Sequence, residues 1–374
     1  MNRTMKLIYH LNSTYNPGGM ERVTLNKVRW WIAGGNEVLV VTTDQKGREP
    51  FFPFPDAVRF VDLDINYHDA VGLGVLKQTL SFIRKRRLHK KRLTTLLMKE
   101  KADITVSLYP GESSFIPGIL DGSRKVLELH QGRYFHRQYA NRGLKGLADR
   151  LREWADTAMV RRFDRFVVLT QEDLSNWGAM PNILAIPNAA TLTGELSDCT
   201  AHRVIAVGRL DFQKGFDRLI RAWKPCGDWT LEIFGQGEWE PMLREMIAER
   251  GLEGSVHINA PVKDIRSEYT RSSILVMSSN YEGFPMAMVE GMTCGLPAVS
   301  FDFQCGPRDM IRDGVNGILV RNGDEEGLGA ALTALMSDDA RRKSMGMEAA
   351  RVAERYSQEK VMNQWQDCFR SILS

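Results

Sequence analysis

Short apolar runs alternate with longer segments of helical periodicity along most of the chain. The first unit is an apolar run at 6–11, a polar turn with glycines, a helical segment at 20–33, and a second apolar run at 37–42. Strand, loop, helix and strand in this order are typical of a βαβ unit and predict a parallel sheet. The same series predicts strands at 104–108, 125–129 and 165–169.

The alternation starts again after residue 200. The predicted strands and helices are, in order, strand 202–207, helix 216–223, strand 230–234, helix 239–250, strands 256–258 and 274–278, helix 286–292 and strand 297–300. The chain between the two series, 185–199, is polar after its first residues and predicts a domain boundary near 188–200. We therefore expect an α/β protein with two Rossmann-like domains, at 1–190 and 200–355, facing across a cleft.

Composition excludes several other classes of protein. The chain has 374 residues, 43% apolar and 26% charged, which is typical of globular domains and not of disordered or collagen-like chains. Five widely spaced cysteines without a C-x-x-C pair favour reduced thiols over a disulfide framework or a zinc site. The first residues reach polar 12–14 too early for a secretory apolar region, so we expect a cytoplasmic protein.

Charge divides the chain into unlike halves. The first 190 residues carry 29 Lys and Arg against 19 Asp and Glu, a formal +10, and the other 184 carry −6, which gives the net +4. Within the first half, the segment 84–92 has seven Lys or Arg in nine positions, and we call it the basic segment. Three interpretations stay open for it: a solvated helix face, a nucleic-acid contact, and a docking surface for anionic lipid headgroups. No aromatic interleaving supports nucleic acid, which we do not expect as a partner.

The most informative segment is 280–292. Glu282 lies in a tight turn between a predicted strand and a helix, and Glu290 lies about two turns inside that helix. The first turn of the helix would offer the free amides of Phe284, Met286 and Ala287. Carboxylates accept hydrogen bonds from vicinal hydroxyl groups, and a helix N-terminus binds anionic oxygens, so the segment favours a polyhydroxylated, anionic ligand over two solvated glutamates.

Two further segments point to the same chemistry. Arg209 follows a predicted strand and Lys214 precedes a predicted helix, which would bring two cations to one point above the sheet as a clamp for a diphosphate. Gly18 and Gly19 follow the first strand and allow a ligand to approach the backbone. His130 follows the strand 125–129 and could donate to a sugar hydroxyl. Neither a G-x-G-x-x-G fingerprint nor a P-loop motif is present.

These segments, in this order, resemble the family 4 retaining glycosyltransferases, which have the GT-B fold. The resemblance also covers the stretch 306–317 and extends over nearly the whole chain. It implies that Arg209 and Lys214 clamp the donor diphosphate, that Glu282 contacts the transferred sugar and that Glu290 holds the ribose. The remaining implied contacts are Gly18, Gly19 and His130 near the donor and acceptor, and Gly283, Phe284, Pro285, Met286 and Val262 as further substrate-binding positions.

The resemblance also implies a reaction and its partners. We expect transfer with retention from a nucleotide-sugar, a UDP-sugar in our interpretation, to a saccharide or lipid-linked saccharide in surface-polysaccharide assembly, without metal or other cofactor. The domain 1–190 would bind the acceptor, and a C-terminal helix at 356–374 would pack back toward it. Relatives often have an acidic residue where Arg308 stands. Two alternatives stay open: a GT-B sugar-nucleotide epimerase, and a non-catalytic protein that binds nucleotide-sugars or nucleic acid.

Overall fold

A computed structural model of the chain describes residues 4–16, 18–70, 74–108, 111–134, 144–190 and 194–374. Pro17, in the predicted glycine loop, and residues 191–193, in the predicted domain boundary, lie outside the described residues. The chain divides into two compact units. Unit 1 comprises residues 1–169, 174–186 and 362–374, and unit 2 comprises residues 170–173 and 187–361.

Unit 1 is built on a seven-stranded parallel sheet in the order β3-β2-β1-β4-β5-β6-β7. Its strands are β1 (Lys6–Leu11), β2 (Glu37–Thr42), β3 (Arg59–Asp62), β4 (Ile104–Leu108), β5 (Arg124–Glu128), β6 (Arg165–Val168) and β7 (Ile183–Ala185). The helical segments of the chain up to the boundary are α1 (Gly19–Ala33), α2 (Val75–Glu100), α3 (Leu144–Val160), α4 (Gln171–Trp177) and the 3₁₀ turns Tyr67–Ala70 and Ile116–Gly118. The first three residues of α4 belong to unit 2.

Burial explains which strands of unit 1 the sequence reveals. The central strands β1 and β4 are covered on both faces and read as continuous apolar runs, for instance with Ile8 and Val106 fully buried. The predicted central strands are therefore confirmed, with ends shifted by at most one residue. The edge strands β3 and β7 were missed, because they are short and none of their residues is fully buried: β3 is mostly exposed and β7 is mostly half-buried.

Unit 2 contains a six-stranded parallel sheet in the order β10-β9-β8-β11-β12-β13. Its strands are β8 (Arg203–Val207), β9 (Thr230–Phe234), β10 (Val256–Asn259), β11 (Ile274–Met277), β12 (Ala298–Asp302) and β13 (Gly317–Arg321). The helices that follow β8 are α5 (Phe216–Ala222), α6 (Glu240–Glu249), α7 (Ile265–Thr270), α8 (Met286–Thr293), α9 (Pro307–Met310), α10 (Glu325–Met336), α11 (Asp339–Ala350), α12 (Val352–Tyr356) and α13 (Gln358–Leu373). Two parallel α/β sheets confirm the predicted fold class.

The last helix, α13, returns to unit 1. Its residues from 362 onward belong to that unit. There the Phe369 ring stacks on Trp31 of α1 at 5.2 Å between centroids, and the Trp365 ring lies under the Lys27 ammonium at 4.1 Å. Unit 1 is therefore completed by chain that follows unit 2 in the sequence.

The basic segment lies on α2 and is less uniform than its composition indicates. His89, in its centre, is fully buried, as are Leu93 and Leu97 one and two turns later. The apolar side chains before the segment are exposed instead: Leu76 by 81%, Leu80 by 68% and Phe82 by 53%. One helix thus has a buried stripe at its C-terminal half and exposed apolar groups at its N-terminal half. Among the described residues, no helix is long and apolar enough to cross a membrane.

Close approach of two loops in unit 2 requires glycine at position 235. A β-carbon on Gly235, just after β9, would overlap the carbonyl oxygen of Gly208, just after β8. Gly235→Ala should therefore force the loops apart and lower the free energy of unfolding by about 1–3 kcal/mol, the usual cost of overpacking. Denaturant unfolding measures the change.

The matched control for that variant is Gly254→Ala, because a β-carbon there meets nothing within 4 Å. Equal stability of the two variants would contradict the steric argument.

Candidate functional site

The loop between β8 and α5 holds the two predicted cations. Lys214 folds back over Gly208, where a β-carbon would lie only 2.7 Å from the lysine Cε, so glycine is needed at 208. Gly215 follows with a φ of 60°, which favours glycine, and α5 begins at the next residue. Arg209 is exposed, with its guanidinium 2.8 Å from Gln213 Oε1 and 3.0 Å from Asp211 Oδ2. The loop presents one half-buried and one exposed cation at the carboxyl end of the sheet.

The carboxylate of Glu282 is the centre of the site. It is only 6% exposed, and three side chains donate to it. Lys214 Nζ lies 2.6 Å from Oε1, Ser279 Oγ lies 2.8 Å from the same oxygen, and Gln213 Nε2 lies 3.0 Å from Oε2. Both oxygens are thereby fixed, and Gln213 connects Glu282 to Arg209. The structure brings three of the predicted residues, Arg209, Lys214 and Glu282, into one hydrogen-bonded network.

Backbone contacts lock the two loops of this network together. The Asn280 amide donates to the Gln213 carbonyl at 2.8 Å, and the Ser278 hydroxyl donates to the Lys214 carbonyl at 2.9 Å. Arg218, on α5, donates to the carbonyls of Ser278 and Ser279 at 2.5 and 2.8 Å while stacking over a phenylalanine ring. The position of Glu282 is therefore fixed by β8, α5 and β11 at once.

The start of α8 differs in one respect from the expectation. The Met286 amide is not free, because it donates to the Phe284 carbonyl at 2.9 Å. The Phe284 side chain is buried and packs edge-on against Tyr356, and Pro285 is also buried, whereas Gly283 is half-buried. Glu290 is buried within α8. Ligand contacts at 284 and 285 would therefore have to come from the backbone.

Two further positions named in the sequence analysis are Val262 and Arg308. Val262 is 41% exposed in the loop after β10. Arg308, which stands where relatives often have an acid, makes a two-pronged ion pair with Asp302 at 2.7 and 2.5 Å. Asp302 raises the pKa of Arg308 through these hydrogen bonds. The Arg308 guanidinium is therefore already paired with Asp302, the last residue of β12.

In unit 1, the glycine loop carries an acid that sequence reasoning left aside. Gly18 caps α1 and Gly19 is its first residue, with open space where a Gly19 side chain would be. A β-carbon on Gly18 would instead overlap the carboxylate of Glu21, in the first turn of α1. Burial raises the pKa of Glu21, and its own backbone amide opposes that rise. The helix N-terminus therefore already has a carboxylate of its own.

His130 is positioned by a buried acid. Its Nε2 lies 3.0 Å from Glu128 Oε1, and Lys27 of α1 contacts the same oxygen. Burial would raise the pKa of Glu128, but the charges of Lys27 and His130 outweigh burial and lower that pKa to about 2. His130 therefore stands beside a carboxylate that is ionised at neutral pH.

Four residues that support the predicted site were not recognised from sequence. Gln213 and Ser279 fix Glu282, and Glu128 and Lys27 support His130. The first three have a weak sequence signal, since each adjoins a predicted site residue or ends a strand. Lys27 has none, because only the fold brings the middle of α1 beneath β5.

Two family descriptions together match almost the whole chain. "Glycosyl transferase 4-like domain" matches residues 18–189, and "Glycosyl transferases group 1" matches residues 195–352, the part that holds Arg209, Lys214 and Glu282. The chain belongs to the group 1 glycosyltransferases. It is accordingly a transferase enzyme of the family 4 type, as its motifs predicted.

Sequence relatives carry names from the same field. An exopolysaccharide phosphotransferase of Streptomyces coelicolor is 33% identical over 73% of this chain, and an amylovoran biosynthesis glycosyltransferase of Erwinia amylovora is 35% identical over 54%. This chain spans only 29% and 61% of the length of those two proteins. An uncharacterized glycosyltransferase of Haemophilus influenzae is 26% identical, with 96% of this chain and 98% of that protein aligned.

Solved structures share the fold along the whole chain. TarM has a TM-score of 0.81 at 16% identity, with 98% of this chain and 99% of that chain covered. The Anabaena protein HepE, solved in complex with UDP-glucose, has a TM-score of 0.72 at 18% identity, with 98% and 100% covered. At such identities the likeness establishes the GT-B fold class and nothing further.

The ion pair behind His130 yields a test. Lys27→Met should leave the Glu128 carboxylate buried without its cation and lower the free energy of unfolding by about 3–5 kcal/mol. Glu128 stabilises the fold above its unfolded pKa, near 4.5, and this contribution disappears as pH falls toward 2. The Lys27→Met deficit should therefore shrink on acidification, as urea unfolding at several pH values would measure.

The double variant Lys27→Met/Glu128→Leu is the control. It removes both charges and should recover most of the loss. If the double variant were as unstable as the single one, an unpaired charge would not be the cause.

Proposed function

We propose that this glycosyltransferase moves a sugar from a UDP-sugar to a saccharide or lipid-linked saccharide, with retention at the anomeric carbon and without a divalent cation. The product would enter surface-polysaccharide assembly. The observation that carries the proposal is the Glu282 carboxylate, fixed through both oxygens beside Lys214 and linked through Gln213 to the exposed Arg209.

This network has the charges that a nucleotide-diphosphate reaction requires. Negative charge develops on the leaving diphosphate as the glycosidic bond breaks, and fixed cations stabilise it without reorganisation. In the proposal, Arg209 binds the diphosphate through its planar guanidinium, and Lys214 adds a second charge. Glu282, with its oxygens held by Ser279 and Gln213, accepts hydrogen bonds from hydroxyl groups of the transferred sugar.

Retention follows, in the proposal, from attack on the same face as the leaving group. The leaving phosphate takes the acceptor proton, so that no enzyme nucleophile is required. His130, beside Glu128, would donate to the donor sugar, and Glu290 would hold the ribose. The exposed backbone near Val262 would contact the nucleobase.

The choice of UDP and of the acceptor is supported by the names of similar proteins. The HepE structures hold UDP or UDP-glucose, and a pneumococcal O-GlcNAc transferase, TM-score 0.75 at 13% identity, holds UDP and GlcNAc. The relatives from Streptomyces and Erwinia are named for exopolysaccharide and amylovoran. These names point to carbohydrate polymers as the product class.

Removing the charged groups of this network should lower the transfer rate while the protein stays folded. Lys214→Ala and Glu282→Gln should lower the transfer rate by about 100-fold or more, the usual cost of losing one fixed stabilising group. Arg209→Ala should weaken UDP binding by about 10-fold or more, because a charged hydrogen bond to phosphate is lost. Calorimetry with UDP and a product assay measure the two effects.

The matched control is Arg244→Ala, another exposed arginine of unit 2, which pairs with Glu240 one helical turn away. It should keep wild-type binding and transfer.

A thermal-shift screen of UDP-, GDP-, ADP- and CMP-sugars identifies the donor, since ligand binding raises the apparent Tm. Wild-type turnover in Lys214→Ala would refute the assigned role, and conversion of the donor without any acceptor would favour an epimerase.

We also propose that α2 docks on anionic lipid headgroups. Lys85, Arg86 and Arg92 of the basic segment bind groups of unit 1, so they are not free for a partner. Arg84, Arg87, Lys90 and Lys91 are exposed, and exposed Leu76, Leu80 and Phe82 lie on the same helix. Cations next to exposed apolar side chains suit a membrane interface better than a solvated helix face.

Charge reversal tests the docking. Replacing Arg84, Arg87, Lys90 and Lys91 by Glu should abolish sedimentation with vesicles of phosphatidylglycerol at low salt, since each cation near an anionic surface contributes about 1 kcal/mol. The control replaces four exposed cations of unit 2 by Glu: Lys224, Lys263, Arg341 and Lys343. Equal loss in both variants, or no sedimentation of the wild type, would refute specific docking.

A further inference from the structure

Gln213 contacts two of the charged side chains that the proposed function assigns to the donor. It lies in the loop between β8 and α5, immediately before Lys214. Its Nε2 donates to Glu282 Oε2 at 3.0 Å, and its Oε1 accepts a hydrogen bond from Arg209 at 2.8 Å. In the proposed function Arg209 binds the diphosphate and Glu282 binds the transferred sugar, so Gln213 joins the two ends of the donor site.

The orientation of the Gln213 amide is determined by these two neighbours. An ionised carboxylate only accepts hydrogen bonds, and a guanidinium only donates them. The amide nitrogen therefore faces Glu282, and the amide oxygen faces Arg209. The main chain is fixed as well, because the Gln213 carbonyl accepts from the Asn280 amide at 2.8 Å. A reversed amide would place oxygen against oxygen on one side and nitrogen against nitrogen on the other.

The two oxygens of Glu282 have unequal support. Oε1 lies 2.6 Å from Lys214 Nζ and 2.8 Å from Ser279 Oγ. Within the part of the chain that the structure describes, Oε2 has one donor, Gln213. Loss of Ser279 would leave Oε1 with its lysine, whereas loss of Gln213 would leave a buried carboxylate oxygen without a donor, which is costly. The orientation of the carboxylate therefore depends on Gln213 more than on Ser279.

Arg209, in contrast, has a second support. Its Nη2 donates to Gln213 and also lies 3.0 Å from Asp211 Oδ2. Asp211 is itself positioned, because its Oδ1 accepts from the Lys214 amide at 3.3 Å. The guanidinium has further N–H groups, and the side chain is 69% exposed, so donors remain for a diphosphate. Without Gln213, Asp211 would still hold the diphosphate-binding cation.

We propose that Gln213 is a positioning residue of the transfer reaction, which orients the Glu282 carboxylate toward the transferred sugar at a fixed place relative to Arg209. This role rests on the proposed function, since it uses the tasks given there to the two charged residues. A carboxylate that is already held meets a sugar hydroxyl without reorganisation. Without Gln213 the carboxylate turns about its last bond, and only a fraction of the molecules presents the productive orientation.

Gln213→Met tests the role, because methionine is similar in length but lacks the amide donor and acceptor. The transfer rate should fall by about 10-fold or more, since Glu282 Oε2 loses its donor. The dissociation constant of UDP should stay within about 3-fold of the wild-type value, because Asp211 still holds Arg209. The product assay measures the rate, and calorimetry with UDP measures the dissociation constant. A general disturbance of the loop would instead weaken UDP binding as much as transfer.

Two further variants serve as comparisons. Ser279→Ala removes one of the two donors to Oε1 and should lower the transfer rate less than Gln213→Met does, since Lys214 remains. Gln364→Met makes the same chemical change at an exposed position of α13 and should keep wild-type binding and transfer.

The outcomes separate this role from the proposed function. Transfer by Gln213→Met within about 3-fold of the wild-type rate would overturn the positioning role, as would a loss of UDP affinity equal to the loss of rate. A larger loss of rate in Ser279→Ala than in Gln213→Met would also overturn it. Wild-type turnover in Glu282→Gln would refute the proposed function instead, whichever result Gln213→Met gives.

Discussion

A carboxylate buried away from water needs hydrogen-bond donors around it, and this requirement organises the residues that surround Glu282 in unit 2. Glu282 meets it with Lys214, Gln213 and Ser279, which come from two different loops. The lysine reaches the acid only because Gly208 leaves its stem room to pass. The close approach of the two loops, the glycine at position 208 and the orientation of the Glu282 carboxylate therefore depend on one another.

Most of the fold and the centre of the candidate site could be predicted from the sequence. Buried parallel strands show continuous apolar runs, so β1, β4 and β9 were located to within one residue. Arg209, Lys214 and Glu282 were found because each adjoins such a strand, and the carboxyl ends of parallel strands meet at one edge. Their roles in binding and transfer remain predictions.

Side-chain partners that depend on tertiary packing could not be predicted. The basic segment gave no sign that His89 points into the core, since composition does not tell which face of a helix is covered. The Met286 amide was expected to be free, but the turn at Pro285 gives it an acceptor, the Phe284 carbonyl. Lys27 reaches Glu128 across 101 positions of sequence, a distance that no local pattern encodes.

The return of α13 to unit 1 determines when that unit can finish folding during synthesis. Trp365 and Phe369 cover Lys27 and Trp31, yet the ribosome makes them only after all of unit 2. Nascent chains usually fold domain by domain from the N-terminus. Here the earlier unit keeps an uncovered tryptophan and an uncovered lysine until the final segment emerges, so the later unit is the first that can be complete.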